Sequence, residues 1–215
     1  ATVHGAGGLN LSGNVFAEQN TGTLHVNETI DVAGTDVTVN VMPGMHRFGG
    51  NGITVSVADF VDLTGIFVFE ERQVDPGNET EVLVAATGVN AFVGTGRETG
   101  DTTDDIGVAI NDVELVMLLT GGGYALEASG AAEMVGNAIT NIIRIDGTFG
   151  VVANTTGKDV AEQMVVGAVT KTLEVANGIS RFSGEAVTVA FLEAGANITL
   201  LTDIIVEKVL SSRKP

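Results

Sequence analysis

Residues 44–50 read Gly-Met-His-Arg-Phe-Gly-Gly, and residues 178–184 read Gly-Ile-Ser-Arg-Phe-Ser-Gly. The likeness extends to both sides of this stretch. Residues 9–57 align with residues 143–191 without a gap, each residue matching the one whose number is higher by 134. Identical residues occupy 14 of these 49 pairs, and many other pairs exchange one apolar residue for another. Self-similarity at a fixed offset is typical of proteins built from repeats.

The repeat divides the chain and also decides an ambiguous segment. We predict one complete unit, residues 1–142, and a partial second unit, residues 143–215. Propensity alone allows a helix at residues 161–179. The matching residues, 27–45, contain Val-Thr-Val-Asn-Val at 37–41, which alternates like a strand and is rich in β-branched residues. Because equivalent segments should share one conformation, both are predicted to be extended.

Short apolar stretches also recur at short intervals between the matched segments. We predict strands at residues 81–85, 90–94, 106–110, 113–119 and 124–128. Turns are expected at Gly88, at Asp112 and at the three glycines 121–123. A helix remains an alternative for residues 125–135, although Gly130 disfavours it. The predicted fold is all-β, either a β-solenoid or an elongated β-sandwich, built from an internal repeat of about 134 residues.

The charge and composition of the chain exclude several kinds of partner and site. Asp and Glu number 27 against 10 Lys and Arg, which gives a formal net charge of −17. Such a chain is repelled by nucleic acid and by anionic membranes, so neither is expected as a partner. No stretch reaches the roughly 18 apolar residues of a membrane span, so we expect no membrane insertion. The absence of cysteine excludes thiolate zinc sites, thiol catalysis and disulfides.

Four phrases of the sequence carry a resemblance to a known class of protein. They are Val-Ala-Asp-Phe-Val-Asp-Leu-Thr-Gly at 57–65, Val-Asn-Ala-Phe-Val-Gly-Thr-Gly at 89–96, Asp-Thr-Thr-Asp-Asp-Ile-Gly at 101–107 and Gly-Tyr-Ala-Leu-Glu-Ala-Ser-Gly at 123–130. With its acidic, Cys-free composition, the chain resembles the tandem repeats of giant bacterial exoproteins. The resemblance implies an adhesin-like protein, extracellular or at the cell surface, and brings no catalytic residues with it.

Acidic residues in a glycine-bounded loop are the candidate metal site. Four carboxylates lie close together in the sequence: Glu98, Asp101, Asp104 and Asp105. Ca²⁺ takes six to eight hard oxygen ligands, so this loop is a candidate calcium site. The alternative is a solvated acidic turn, because the spacing matches neither the EF-hand nor the nonapeptide calcium repeat. Asp59 with Asp62 forms a second, weaker cluster.

No constellation of residues predicts catalysis. His4, His25 and His46 lie at equal intervals and would stack into a metal-binding ladder if a solenoid coil had that length. The second unit lacks histidine at the matched positions, so we interpret them as incidental surface residues. The serines have no nucleophile-elbow context. With no Trp and one Tyr, the chain has few aromatic platforms for glycans.

The function predicted from the sequence is that of a non-enzymatic, structural or adhesive extracellular repeat module. We expect it to associate with other copies of itself, head to tail and by strand addition, into a rod or filament. Three basic residues, Lys208, Arg213 and Lys214, would meet the acidic neighbour, and a cell-surface or matrix partner is a further expectation. Two alternatives remain, a calcium-dependent binding domain and a polysaccharide-active parallel β-helix enzyme with carboxylates roughly 5–10 Å apart.

Overall fold

The computed structural model describes residues 2–4, 9–57, 61–74, 79–96, 104–136, 142–193 and 196–209. All the regular elements in these ranges are β-strands. In chain order they are β1 (Thr2–His4), β2 (Leu9–Gln19), β3 (Val26–Val32), β4 (Thr35–Val41), β5 (His46–Val57), β6 (Val61–Val74), β7 (Glu79–Thr95), β8 (Ile106–Thr120), β9 (Gly123–Val135), β10 (Ile143–Asn154), β11 (Val160–Val166), β12 (Val169–Val175), β13 (Ile179–Glu193) and β14 (Ala196–Val209). A membrane-spanning helix is not found in the described ranges.

Ten of the strands form one large sheet in the order β1-β2-β5-β6-β7-β8-β9-β10-β13-β14. Each described pair of neighbours is antiparallel. The other four strands make two separate hairpins, β3–β4 and β11–β12. In the sequence, each hairpin lies between two strands that are neighbours in the sheet: β3–β4 between β2 and β5, and β11–β12 between β10 and β13. Apart from these hairpins, the strands of the sheet follow one another in chain order as a simple meander.

The prediction of an all-β fold is confirmed, but the described strands do not form a solenoid. Coils of a solenoid or parallel β-helix stack by parallel pairing with crossover connections, whereas these strands are joined by turns to antiparallel neighbours. An elongated sandwich consists of two sheets packed face to face. In the described part of the chain, the second layer is a two-stranded hairpin.

The ambiguous segments are extended. Residues 161–179 form most of the β11–β12 hairpin, and residues 27–45 form most of β3–β4, as predicted. Residues 125–135 lie within β9, so the helical alternative was wrong. Adding 134 to the bounds of β3 and β4 gives the bounds of β11 and β12.

Two of the predicted turns are instead β-bulges inside long strands. The predicted strands 81–85 and 90–94 merge into β7, and Gly88 lies in the bulge between them with φ of 57°. Asp112 has φ of 51° and lies at the corresponding bulge of β8. A residue with positive φ allows one extra residue in the strand without a reversal of the chain. The glycines at 121–123, by contrast, do form a turn between β8 and β9.

The sheet has two faces that differ in what covers them. The hairpin-side face, against which β11–β12 packs, carries Val68, Ala85 and Val116 as direct cross-strand partners. The opposite face is here called the open face. One cross-strand row on the open face is apolar across nine strands: Val15, Gly50, Phe67, Ala86, Leu115, Ala128, Val151, Phe182 and Val206. The main buried core lies between the hairpin-side face and β11–β12.

Candidate interaction surfaces

The β11–β12 hairpin is docked on the sheet. It lies across β6, β7, β8 and β9, and its strands alternate between more buried and more exposed side chains. Five apolar residues face the sheet and are buried there: Val160, Met164, Val166, Leu173 and Val175. They pack on Leu83, Val116, Leu118 and their neighbours, so the hairpin and the sheet share one hydrophobic core.

Charged pairs surround this core. Arg72 of β6 contacts Glu162 of the hairpin at 2.7 Å and Glu81 of β7 at 3.2 Å. Burial lowers the pKa of the Arg72 guanidinium, but the hydrogen bonds and charges of these two carboxylates outweigh it and raise the pKa above its ordinary value. Lys158, at the base of the hairpin, lies 3.5 Å from Glu81. The docked hairpin therefore supplies charges that match those of the sheet beneath it.

A further ion pair joins the middle of the hairpin to β8. Lys171 contacts the carboxylate of Glu114, which also accepts hydrogen bonds from the Thr87 hydroxyl at 2.8 Å and the Gly88 N–H at 3.3 Å. Burial raises the pKa of Glu114, but the hydrogen bonds from Lys171, Thr87 and Gly88 outweigh it and lower the pKa below its ordinary value. The ionised carboxylate is thus favoured in the folded state.

The β3–β4 hairpin has the same alternation of polar and apolar residues but is not docked. Its polar face carries Asn27, Thr29, Asp31, Asp36, Thr38 and Asn40 in cross-strand pairs. Its other face carries Val26, Glu28, Ile30, Val32, Thr35, Val37, Val39 and Val41. Ile30 is 54% exposed and Val32 is 55% exposed, whereas their counterparts Met164 and Val166 are 3% and 0% exposed. On this face only Val41, at the base of the hairpin, is buried. Within the described ranges, β3–β4 makes no contact with the sheet comparable to that of β11–β12.

Both hairpins are anchored to the sheet by the same asparagine arrangement. Asn154 donates from Nδ2 to the carbonyl oxygens of Lys158 at 2.9 Å and Val175 at 2.8 Å. Asn20 donates from Nδ2 to the carbonyls of Leu24 at 2.8 Å and Val41 at 2.9 Å. In each case Oδ1 accepts an N–H two residues later. The base of each hairpin is therefore fixed in the same way, although only β11–β12 is docked.

The last strand of the sheet, β14, is an apolar edge. It pairs with β13 on one side, and no described strand pairs with its other side. Several large apolar side chains are exposed along it: Ile198, Leu200, Leu201, Ile204, Ile205 and Val206. The pairing of β14 with β13 matches that of β6 with β5, so that Ile205 occupies the place of Val68. Ile205 is 71% exposed and Val68 is 1% exposed, because Val68 has β7 beside it and the hairpin above it.

An aromatic groove lies on the open face near the other end of the sheet. Phe48 and Phe69 stack with ring centroids 4.7 Å apart. With Val15, Leu63 and Phe67 they line a groove of about 310 Å³. Phe149 and Phe182 stack in the same way at the β10–β13 end, with centroids 6.0 Å apart. The open face is therefore apolar and aromatic at both of these places.

The predicted calcium site is described only in part. Glu98 and Asp101 lie outside the described residues. Asp104 is exposed and Asp105 is buried, immediately before β8. The backbone of Gly96, at the end of β7, lies so close to the Asp104 carbonyl that a Cβ at Gly96 would be 2.6 Å from that oxygen. A cluster of three or more metal-ligating side chains is not found among the residues described, and calcium binding stays a prediction.

The acidic pair Asp59 and Asp62 and the three histidines are also described only in part. Asp59 lies outside the described residues, and Asp62 is in β6. A stacked histidine ladder, the interpretation that the sequence disfavours, does not form from the two histidines whose side chains are described. The His25 ring bonds to Asn40 and the His46 ring to Gln19, on separate strand pairs.

The sequence carried a signal for the hairpins that the strand prediction did not use. Val26, Glu28, Ile30 and Val32 alternate with polar residues along β3, and residues 35–41 repeat the alternation after a two-residue turn. Two alternating strands joined by two residues indicate a hairpin with one face to be buried.

In comparisons with known proteins, no family model, no curated protein and no solved structure matches this chain.

Proposed function

We propose that this chain is a non-enzymatic structural or adhesive module that associates with copies of itself into a rod or filament. The observation that carries the proposal is β14, an edge strand with large apolar side chains exposed on both of its faces. Unpaired edges of this kind are templates for strand addition, and soluble proteins usually blunt them with charges or proline. In 197–206, Asp203 is the sole charged residue.

The proposal includes the internal repeat. It also includes the adhesin-like role and extracellular location that the resemblance to bacterial exoproteins implies. Two observations support the repeat. Each bound of the β11–β12 hairpin is the corresponding bound of β3–β4 plus 134, and the two buried asparagines at their bases make equivalent hydrogen bonds. A repeat whose strands continue one sheet is suited to assembly along the sheet, because each added copy extends the same antiparallel order.

Light scattering over a concentration series, with electron microscopy of the same samples, tests the proposal. The wild-type chain should form elongated oligomers whose size rises with protein concentration. A variant with Leu200→Lys and Leu201→Lys places charges on both faces of the edge and should remain monomeric. Two lysines on the polar face of a hairpin, Asn27→Lys and Thr29→Lys, change the net charge equally and should leave the oligomers intact. A wild-type chain that is strictly monomeric at high concentration would contradict the proposal.

A further inference from the structure

The β3–β4 hairpin presents an apolar face that the described strands leave largely uncovered. The counterpart hairpin shows what such a face is for, because the same positions of β11–β12 are buried on a sheet. The polar face of β3–β4 has its own cross-strand contact, a hydrogen bond of 3.1 Å between the Thr29 and Thr38 hydroxyls. An amphipathic hairpin of this kind is marginal in isolation and is stabilised by packing. The exposed face is therefore complementary to a sheet surface that the described part of this chain does not place beneath it.

The direction in which the counterpart lies indicates where that sheet surface would be. The β11–β12 hairpin follows β10 and lies back over the strands that precede β10 in the sheet, from β9 to β6. The β3–β4 hairpin follows β2 and has the same anchor at its base. By the same geometry it would lie over strands beyond the β2 edge. The described part of this chain places only the short strand β1 there.

At the opposite end of the sheet, apolar side chains lack the cover that a docked hairpin would give them. On the hairpin-side face of β14, Leu201 and Ile205 are both more than two-thirds exposed. Ile205 matches Val68, which the docked hairpin covers. The uncovered hairpin and the uncovered face lie at opposite ends of the sheet, so a head-to-tail contact between two copies would cover both at once.

One basic residue beside β14 offers a charge contact to the hairpin. The apolar face of the docked hairpin carries Glu162, which meets Arg72 at 2.7 Å. The matching residue of β3–β4 is Glu28, which is exposed. On β13, next to β14, Arg181 is 43% exposed and pairs with the Glu207 carboxylate at 3.8 Å. An acidic hairpin approaching a half-exposed arginine repeats the arrangement that the chain uses within itself.

We propose that β3–β4 is the docking element of self-association and that it packs its apolar face on the hairpin-side face of β13–β14 in a second copy. This inference rests on the proposed self-association and specifies its contact. The contact is heterologous, since two different surfaces meet, and a heterologous contact that does not close generates a filament.

Complementation between two variants tests the contact without knowledge of its register. Ile30→Glu disables the hairpin, and Ile205→Glu disables the acceptor face; both side chains are exposed, so folding should be unaffected. Each variant alone should associate at least about tenfold more weakly than wild type. An equimolar mixture should form 1:1 dimers that do not grow, because the mixture retains one intact hairpin and one intact acceptor per pair.

The controls and the contrary outcomes separate this contact from others. Thr29→Glu adds the same charge on the polar face of the hairpin, and Val206→Glu adds it on the open face of β14; both should associate like wild type. If Ile205→Glu alone associates normally, hairpins meet hairpins; if Ile30→Glu alone does, edges meet edges. Either result overturns the inference while leaving self-association in place. A monomeric wild type refutes both the inference and the proposed function.

Discussion

The two hairpins, β3–β4 and β11–β12, have bounds that differ by 134 residues and equivalent asparagines at their bases. Both place apolar side chains on one face and polar side chains on the other. Yet Leu173 is buried on the sheet, whereas Ile30 and Val37 are exposed. The alternation is a local property of the sequence. Burial depends on whether four strands lie beneath the hairpin, which is a property of the tertiary structure.

The two hairpins also differ in charge, because the docked hairpin has lysines where the undocked hairpin has apolar residues. The docked hairpin has Lys158 and Lys171, which face Glu81 and Glu114 of the sheet. At the matched positions the undocked hairpin has Leu24 and Val37, which are both exposed. The partner surface of β3–β4 should therefore be less acidic than that of β11–β12.

The largest expected effect is a difference in stability between matched core substitutions. Leu173→Ala should lower the free energy of unfolding by about 2–5 kcal/mol, because the side chain is fully buried between hairpin and sheet. The matched change Val39→Ala should lower it by less than about 1 kcal/mol in the monomer, because Val39 is only half-buried and the described strands place no sheet beneath it. Urea denaturation at low protein concentration measures both. Equal losses at the two positions would mean that β3–β4 is docked after all.

A second prediction concerns the part that the hairpins share. Asn20→Ala and Asn154→Ala should each lower the free energy of unfolding by about 1–3 kcal/mol, because each leaves two carbonyls without their buried donor. Asn27→Ala, on the polar face of β3, serves as the control and should change stability by less than about 0.5 kcal/mol. A negligible effect at Asn20 alone would show that the anchor matters only under a docked hairpin.

The smallest effect is a pH-dependent one. Because the pKa of Glu114 is lowered on folding, its contribution to stability is present above its unfolded pKa and is lost as pH falls through its folded pKa. Lys171→Met should therefore cost up to about 1 kcal/mol at neutral pH, after allowance for solvent screening, and progressively less as pH falls through the lowered pKa of Glu114. Val37→Met is the matched control in β3–β4. A cost that is constant with pH would attribute the effect to packing and not to the ion pair.

Much of the secondary structure could be predicted from the sequence, because alternation is a local signal. The Val-Thr-Val-Asn-Val run at 37–41 predicted a strand, and its match at 171–175 allowed the same assignment for Lys-Thr-Leu-Glu-Val despite its helical propensity. Gly88 and Asp112 misled the prediction, since a positive φ serves a turn and a bulge equally well. The sequence therefore indicated more and shorter strands than the sheet contains.

The pairing of the strands and the interaction surfaces were beyond the sequence for a different reason. Repetition at a fixed offset is compatible with a solenoid, a sandwich or a meander, because the offset does not state which strands are neighbours. The exposed edge at Ile205 becomes visible only when β14 is placed last in the sheet. Ligand chemistry alone favours the acidic loop with Asp104 and Asp105, and half of its candidate ligands lie outside the described residues.

Amide hydrogen exchange at two protein concentrations is the most direct test of whether β3–β4 is a docking element. At a concentration where the chain is monomeric, amides of β11–β12 should be protected and those of β3–β4 should exchange rapidly, because an undocked hairpin opens readily. At a concentration where oligomers form, protection should rise in residues 26–41 and along β14, and should be unchanged in residues 160–175. Oligomers that form while exchange in residues 26–41 stays rapid would contradict this account.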